Sequence, residues 1–463
     1  MKSLEDILYP FLKVYNALPL FIRNSVGKVY RLLPQKIRYG NFFSKYCQRI
    51  NLFQNNDNEV GLSQNLLLNQ VNYAIENIPF YQQYEPIDSI EELIRLPVVD
   101  KETIAENSAL FINPSLKSRG LKSNTGGSSG TPFSFLIEKG ITRPKEAAHF
   151  NWYWRRYGFK PGNKVLMIRG KSLRNNADFE HQAIGNKLVV SCYNLNQVSI
   201  KEIYKQILKF KPKFIHAYPS SLLIFTKELQ LYLKDRSPAF EVNTIFLGSE
   251  YLFEQDKTFF EKFYHSKAIN WYGHSECLIH GGKCELSGDY HFYPFYGYVE
   301  LVDENDNLIT KPNIEGRIIA TGFDNKVMPL IRYDTGDIGA YSEKQECECG
   351  FKGKSLSKIV GRGKDFIVLK DGTKVTLTAF VFGQHHEEFS KIREMQLIQN
   401  KSGEVLLNVV PLNDFSLEEQ NKLKNRLTKS VHNDLLKVDI QIVNNIEKTH
   451  RGKHRLLIQN ITQ

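Results

Sequence analysis

The chain has 463 residues, about three times a typical domain length, so two or three domains are expected. Apolar residues make up 41% and charged residues 24%, the balance of a globular protein with a large core, which excludes disordered, collagen-like and fibrous classes. The net charge is +11, yet residues 1–50 alone carry +7 and leave only +4 for the rest; a basic start on a near-neutral body argues against nucleic acid as a partner.

Residues 1–60 read as a basic helical arm in which Leu8, Phe11, Leu12, Leu18, Leu20, Phe21 and Ile22 sit among the cations. Two readings fit. One is an interfacial segment on an anionic membrane or partner; the other, the commoner outcome, is an arm packed on the body with a solvated basic face. No run approaches the roughly 18 apolar residues that span a bilayer. Glu5 and Asp6 interrupt what would be the apolar part of a signal peptide, so the cytoplasm is the expected location, with peripheral contact at the inner membrane face under the first reading. Six cysteines are too few for a disulfide scaffold, and in a reducing compartment clustered ones read as metal ligands or core.

Residues 60–110 read as helix and then loop. The tract KSNTGGSSGTPFSF cannot form a helix interior, and an aromatic-rich helix follows over Arg143–Tyr157. Short apolar runs then alternate with helical periods. KVLMIRG, KLVVSCY, KFIHAYP, TIFLGSE and AINWYGHSE read as strands; KEIYKQILKFK, SSLLIFTKELQLYL and residues 252–264 read as helices. That alternation predicts a mainly parallel sheet with helices on both faces. Past residue 290 the pattern turns hairpin-like, through YVELVDENDNLI and EGRIIATGF, then IVLKDGTKVT and MQLIQNKSGEVLLNVVP. A helix near 416–435 and a last strand, VDIQIV, complete a small α+β unit. The Gly-rich turn GRGKDF marks the boundary, giving a large domain over 61–363 and a small one over 364–463.

Five constellations could carry chemistry. Thr125-Gly126-Gly127-Ser128-Ser129-Gly130-Thr131 offers backbone amides and hydroxyls to an anion, although it is neither a Walker loop nor G-x-G-x-x-G, and alone it could be a linker. Tyr272-Gly273-His274-Ser275-Glu276 ends a predicted strand with a carboxylate able to hold Mg²⁺ and an aromatic able to stack a base. Arg332-Tyr333-Asp334-Thr335-Gly336-Asp337 places a carboxylate on a turn, where it could accept two ribose hydroxyls. Gly361-Arg362-Gly363-Lys364-Asp365 and the basic stretch around Lys453 complete the set. Each alone is also an ordinary turn or a solvated tail.

Their order is what carries weight. With Gly248-Ser249-Glu250 they form a series that resembles the adenylate-forming superfamily, the acyl-CoA synthetases and their relatives, over about residues 65–463. The match is best to its phenylacetate–CoA ligase-like branch, which includes CapK-like proteins of capsular polysaccharide loci. The resemblance implies an α/β body with mainly parallel sheets and a β-barrel-like part, followed by a small mobile C-terminal domain. It implies ATP, Mg²⁺, a carboxylic acid and CoA as the reacting partners. Thr125–Thr131 would cradle the β- and γ-phosphates. Gly248, Ser249 and Glu250 would line the adenine pocket, and Tyr272 would stack on the base with Gly273 and Ser275 beside it. Glu276 would ligate Mg²⁺, Asp337 would hold the ribose, and Arg362 would reach ribose or phosphate. Asp365 would be the hinge, and Lys453 would reach the α-phosphate. Thr131 stands where many members carry Lys, which weakens the expected electrostatics on the β- and γ-phosphates.

Two further readings concern metal and substrate. Cys284, His291, Cys347 and Cys349 supply four soft ligands for a closed structural zinc site, with reduced thiols as the alternative. Cys47 and Cys192 read as core, and His274 and His280 as loop residues. By analogy the acyl pocket lies between the aromatic helix, with Trp152 and Tyr153, and the loop at Tyr218; no Lys or Arg stands out as a carboxylate anchor. Adenylation followed by amide formation on an amine or amino sugar is the rival to CoA transfer, and a degenerate nucleotide-binding scaffold is a third reading. The oligomeric state is not readable.

Overall fold

The computed structural model describes residues 4–461 except 9–10, 56–57, 125–133, 170–172, 174–176, 193–194, 345, 363–365, 378–379, 381–390, 413–414, 430–434 and 448–455. The arm is helical: α1 (Leu4–Leu8), α2 (Leu12–Ala17), α3 (Leu20–Leu32), α4 (Gln35–Tyr39) and α5 (Asn41–Gln54). Pro19 and Pro34 directly precede α3 and α4, where a missing N–H costs nothing and φ is already set. Then follow α6 (Glu59–Asn77) and α7 (Lys101–Glu106), capped by the side chains of Asn58 and Asp100. The Gly/Ser/Thr tract is flanked by a hairpin of β1 (Gly120–Asn124) and β2 (Ser134–Glu138), with Asn124 opposite Ser134.

The predicted alternation is present. Helix α8 (Thr142–Arg155) leads into β3 (Val165–Arg169), β4 (Phe179–Gln182) and β5 (Lys187–Ser191). After these come α9 (Gln197–Phe210), β6 (Phe214–Ala217), α10 (Pro219–Leu233), β7 (Thr244–Gly248), α11 (Glu254–Tyr264) and β8 (Lys267–Gly273). Strands β5, β3, β6, β7 and β8 lie side by side and parallel, with β4 antiparallel at the edge. Side chains alternate across this sheet. Leu166, Ile168, Ile215, Ile245 and Leu247 pack with residues of α9, α10 and α11, whereas Val165, Phe214, Phe246 and Ile269 pack with α5 and α8 on the other face. Both faces are buried, as a parallel sheet requires.

The same sheet continues antiparallel through β9 (His280–Lys283), β10 (Tyr290–Phe292), β11 (Gly297–Val302), β12 (Glu315–Gly322), β13 (Tyr333–Tyr341) and β14 (Ser355–Arg362). Its full order is β11-β12-β13-β14-β10-β9-β8-β7-β6-β3-β5-β4. The part expected to be barrel-like is this antiparallel run, and no closed barrel is found among the described residues.

The C-terminal unit holds β15 (Phe366–Val368), β16 (Lys374–Thr376), β17 (Ile392–Lys401), β18 (Glu404–Pro411), α12 (Leu417–Lys429), β19 (Lys437–Ile442) and β20 (Leu457–Gln459). VDIQIV is not the last strand: β20 adds to the sheet parallel to β17. Three residues are too few to show a period, so only the pairing reveals it. The unit has its own core around Leu397, Leu407, Leu423 and Val438. It touches the body at α10, where Lys227 Nζ donates to the Ile392 carbonyl at 2.6 Å and Arg393 pairs with Glu228 at 3.1 Å.

Candidate active site

Strand β8 delivers Tyr272 and Gly273 to its C-terminal end, the edge at which open α/β sheets bind ligands. Just beyond it Glu276 is enclosed. Its Oε1 accepts from the Tyr333 hydroxyl at 2.8 Å and its Oε2 faces His274 Nδ1 at 3.2 Å. Burial pushes this carboxyl up, but the bonds from His274 and Tyr333 outweigh it and hold the group below the usual carboxylate range, so it is an anion at neutral pH. Tyr333 opens the strand that carries Asp337, and the Tyr272 hydroxyl donates to Asp337 Oδ2 at 2.6 Å. YGHSE and RYDTGD, 60 residues apart in the chain, therefore form one cluster of two carboxylates, two phenols and an imidazole. The Asp337 backbone pairs with Arg362 on β14, which brings the third motif alongside. Thr125–Thr131, Asp365, Lys453 and the Arg362 side chain lie outside the described residues.

Two members of these motifs have structural work. Arg332 is only 2% exposed; its Nη1 donates to the Leu96 carbonyl at 2.8 Å and its Nε faces Glu300 at 3.4 Å, pinning the loop before α7. Glu250 Oε2 accepts from the Ser220 backbone N–H at 3.0 Å in the first turn of α10, where a carboxylate complements the helix dipole. Gly248 cannot be replaced without disturbance, because a Cβ there would lie 2.6 Å from the Trp271 ring. Ser249 takes a left-handed φ of 69° to turn the chain out of the sheet, and Ser275 offers its carbonyl to Cys277 Sγ at 3.4 Å.

Trp152, Tyr153 and Tyr218 are not brought together as one wall. Tyr153 is fully buried against His280, Trp271 and Tyr293, and Trp152 lies edge-on to Tyr293 and Phe295, so both belong to the aromatic core beneath α8. Contact from α8 toward Tyr218 runs instead through Trp154, His216 and Arg169. Arg169 ends β3; it is bonded to His216 Nε2 at 2.9 Å and its guanidinium lies 4.0 Å over the Tyr218 ring. Its Nη1 is buried with no partner among the described residues. The sequence did not single out this charged donor, which stands at the C-terminal end of β3 with Glu250 as its acidic neighbour. His280, expected in a loop, sits buried on β9, its ring centroid 4.4 Å from that of His149. HGGK is too short and too Gly-rich to read as a strand.

The expected zinc ligands do converge. The ligand atoms of Cys284, His291, Cys347 and Cys349 all lie within 4.8 Å of one another. Cys284 Sγ is 3.7 Å from Cys347 Sγ, and Cys349 Sγ is 3.7 Å from His291 Nδ1. A tetrahedral zinc with ordinary Zn–S bonds has ligand separations of about 3.8 Å, so the donor set fits. Gly350, at φ 84°, closes the Cys347–Phe351 turn, and the His291 ring stacks on Phe351 at 4.3 Å. Cys192 is buried in the core as expected, and Cys47 is half-buried.

The fold is the one shared by adenylate-forming enzymes. Among solved structures the chain is similar to a 2-hydroxyisobutyryl-CoA ligase in its postadenylation state, with a TM-score of 0.65 and 19% identity over 85% of this chain and 88% of that one. By sequence it is similar to CapK and to phenylacetate–CoA ligases. It is 22% identical to Protein CapK of Staphylococcus aureus over 97% of this chain and 99% of that protein. It is also 22% identical to a phenylacetate-coenzyme A ligase of Aromatoleum evansii, over 65% of this chain and 69% of the ligase. Residues 367–460 match the CapK C-terminal domain family.

Proposed function

We propose that the protein activates a carboxylic acid with ATP and passes the acyl group to CoA. The observation that carries this reading is the joining of Glu276, Tyr272 and Asp337 at one end of β8. A substrate carboxylate oxygen attacks the α-phosphorus, the bond to the bridging oxygen breaks, and pyrophosphate leaves. A thiol then attacks the acyl carbon and AMP departs. Glu276 would hold Mg²⁺, which offsets the charge on the phosphate oxygens, and its ionised state at neutral pH suits that role. Asp337 would take the ribose hydroxyls with Tyr272 against the base, while Thr125–Thr131 would receive the β- and γ-phosphates. Gly248, Ser249 and Glu250 would border the base; Arg362 and Lys453 would reach the phosphates. Asp365 is proposed as the hinge between domains 61–363 and 364–463. Zinc would cross-link the hairpin of β9 and β10 to the turn before β14 through Cys284, His291, Cys347 and Cys349.

Amide formation on an amine or amino sugar, within polysaccharide assembly, is the second reading, favoured by the end-to-end match to CapK. Supplying CoA or amines to the preformed acyl-adenylate separates the two. AMP release that requires CoA and yields a thioester supports the first; release that requires an amine and ignores CoA overturns it in favour of the second.

A further inference from the structure

Among the described residues, exposed large apolar side chains concentrate in the first 37, including Phe11, Val14, Phe21, Val29, Leu32 and Ile37. Helix α3 organises them. One side is fixed to the body: Gly27 meets Ala183 so closely that a Cβ would lie 2.6 Å from the alanine Cβ, Arg23 pairs with Glu180 at 3.1 Å, and Arg31 donates to the Ala183 carbonyl. At about 100° per residue, Phe21, Ser25, Lys28 and Leu32 fall on one narrow stripe, with Val29 beside it, turned away from those anchors. Phe21 is 72% exposed and Leu32 84%. A helix held this firmly has no folding reason to show its apolar stripe to water.

The charge says what covers it. Residues 1–50 carry +7, and Glu180 and Asp324 pair with Arg23 and Arg49, while Lys28, Lys36 and Lys45 remain exposed. A second copy would set this cationic surface against itself across a two-fold axis. Apolar side chains interleaved with lysines instead suit the headgroup boundary of an anionic bilayer. No described helix is long and apolar enough to cross a membrane, so the contact is peripheral. We propose that residues 11–37 seat the protein on an anionic lipid surface, with Phe21 and Leu32 entering the headgroup–acyl boundary and Lys28 and Lys36 facing lipid phosphates. The inference is independent of the acid and of the acceptor.

The test is co-sedimentation of the full chain with phosphatidylcholine vesicles and with vesicles containing phosphatidylglycerol. Binding is expected only to the anionic vesicles and should weaken with salt. It should fall about tenfold or more in Phe21→Ser with Leu32→Ser, and about fivefold for each charge reversed in Lys28→Glu with Lys36→Glu. These positions are exposed, so circular dichroism and Tm should stay at the wild-type values. Equal or absent binding to the two vesicle types, or variants that bind like wild type, would overturn the proposal. So would a dimer in sedimentation velocity that Phe21→Ser dissolves, since a second copy would then cover the stripe.

Discussion

The Tyr272 hydroxyl donates to the Asp337 carboxylate at 2.6 Å, tying the end of the last parallel strand to an antiparallel strand four positions further along the same sheet. The bond positions the ring against the strand that carries Asp337. Tyr272→Phe keeps the ring and should change the KM for ATP by less than about threefold. Asp337→Ala removes a charged acceptor and should raise it about tenfold or more, read from initial rates against ATP concentration.

Arg169 makes a different prediction. A buried guanidinium with an unpartnered Nη1 suits a second anionic group, on the acid or on the acceptor. Arg169→Ala should lower kcat/KM by about tenfold to a hundredfold for reactants that carry such a group and leave simple acids within about threefold. A uniform loss across all acids would show that Arg169 only holds His216 and Tyr218 in place.

The proposed zinc at the Cys284, His291, Cys347 and Cys349 cluster is checked by elemental analysis, with one zinc per chain expected. Stripping it with a chelator, or Cys284→Ser, should lower Tm by about 5 °C or more, because the ion would tie the β9–β10 hairpin to the turn before β14. A metal-free chain of unchanged Tm after chelation would leave these thiols as plain side chains.

His280 gives a pH signature. Burial lowers its pKa to about 3, and neighbouring Lys145 pushes the same way. The unfolded chain binds this proton near pH 6.5 and the folded chain does not, so stability is complete above that pH and is lost as pH falls through it. Between pH 7.5 and 5.5 the wild type should lose about 1.4 kcal/mol through this group, a loss that His280→Gln escapes. Urea unfolding of both proteins at the two pH values measures the difference.

Strands β3, β5, β6, β7 and β8 were legible because each is an apolar run bounded by a helical period. The short strands β9, β10 and β20 were not, since three or four residues carry no period and only pairing defines them. The convergence of Cys284, His291, Cys347 and Cys349 was legible from spacing and soft-ligand chemistry. Arg169 was not: its partner His216 is 47 residues away on another strand, and only the register of β3 against β6 joins them. The aromatic run of α8 is ambiguous for a related reason. Its side chains could line a pocket or fill a core, and Trp152 and Tyr153 pack in the aromatic cluster on one face of the sheet.

The central claim is carboxylate adenylation, and ATP–pyrophosphate exchange across a panel of aryl, fatty and hydroxy acids tests it most directly, run beside Lys453→Ala. Acid-dependent exchange that drops about 10²–10³-fold in the variant is the predicted result, the usual scale for one lost electrostatic donor at a reacting phosphate. Tight ATP binding without exchange for any acid would contradict the claim and favour a nucleotide-binding scaffold.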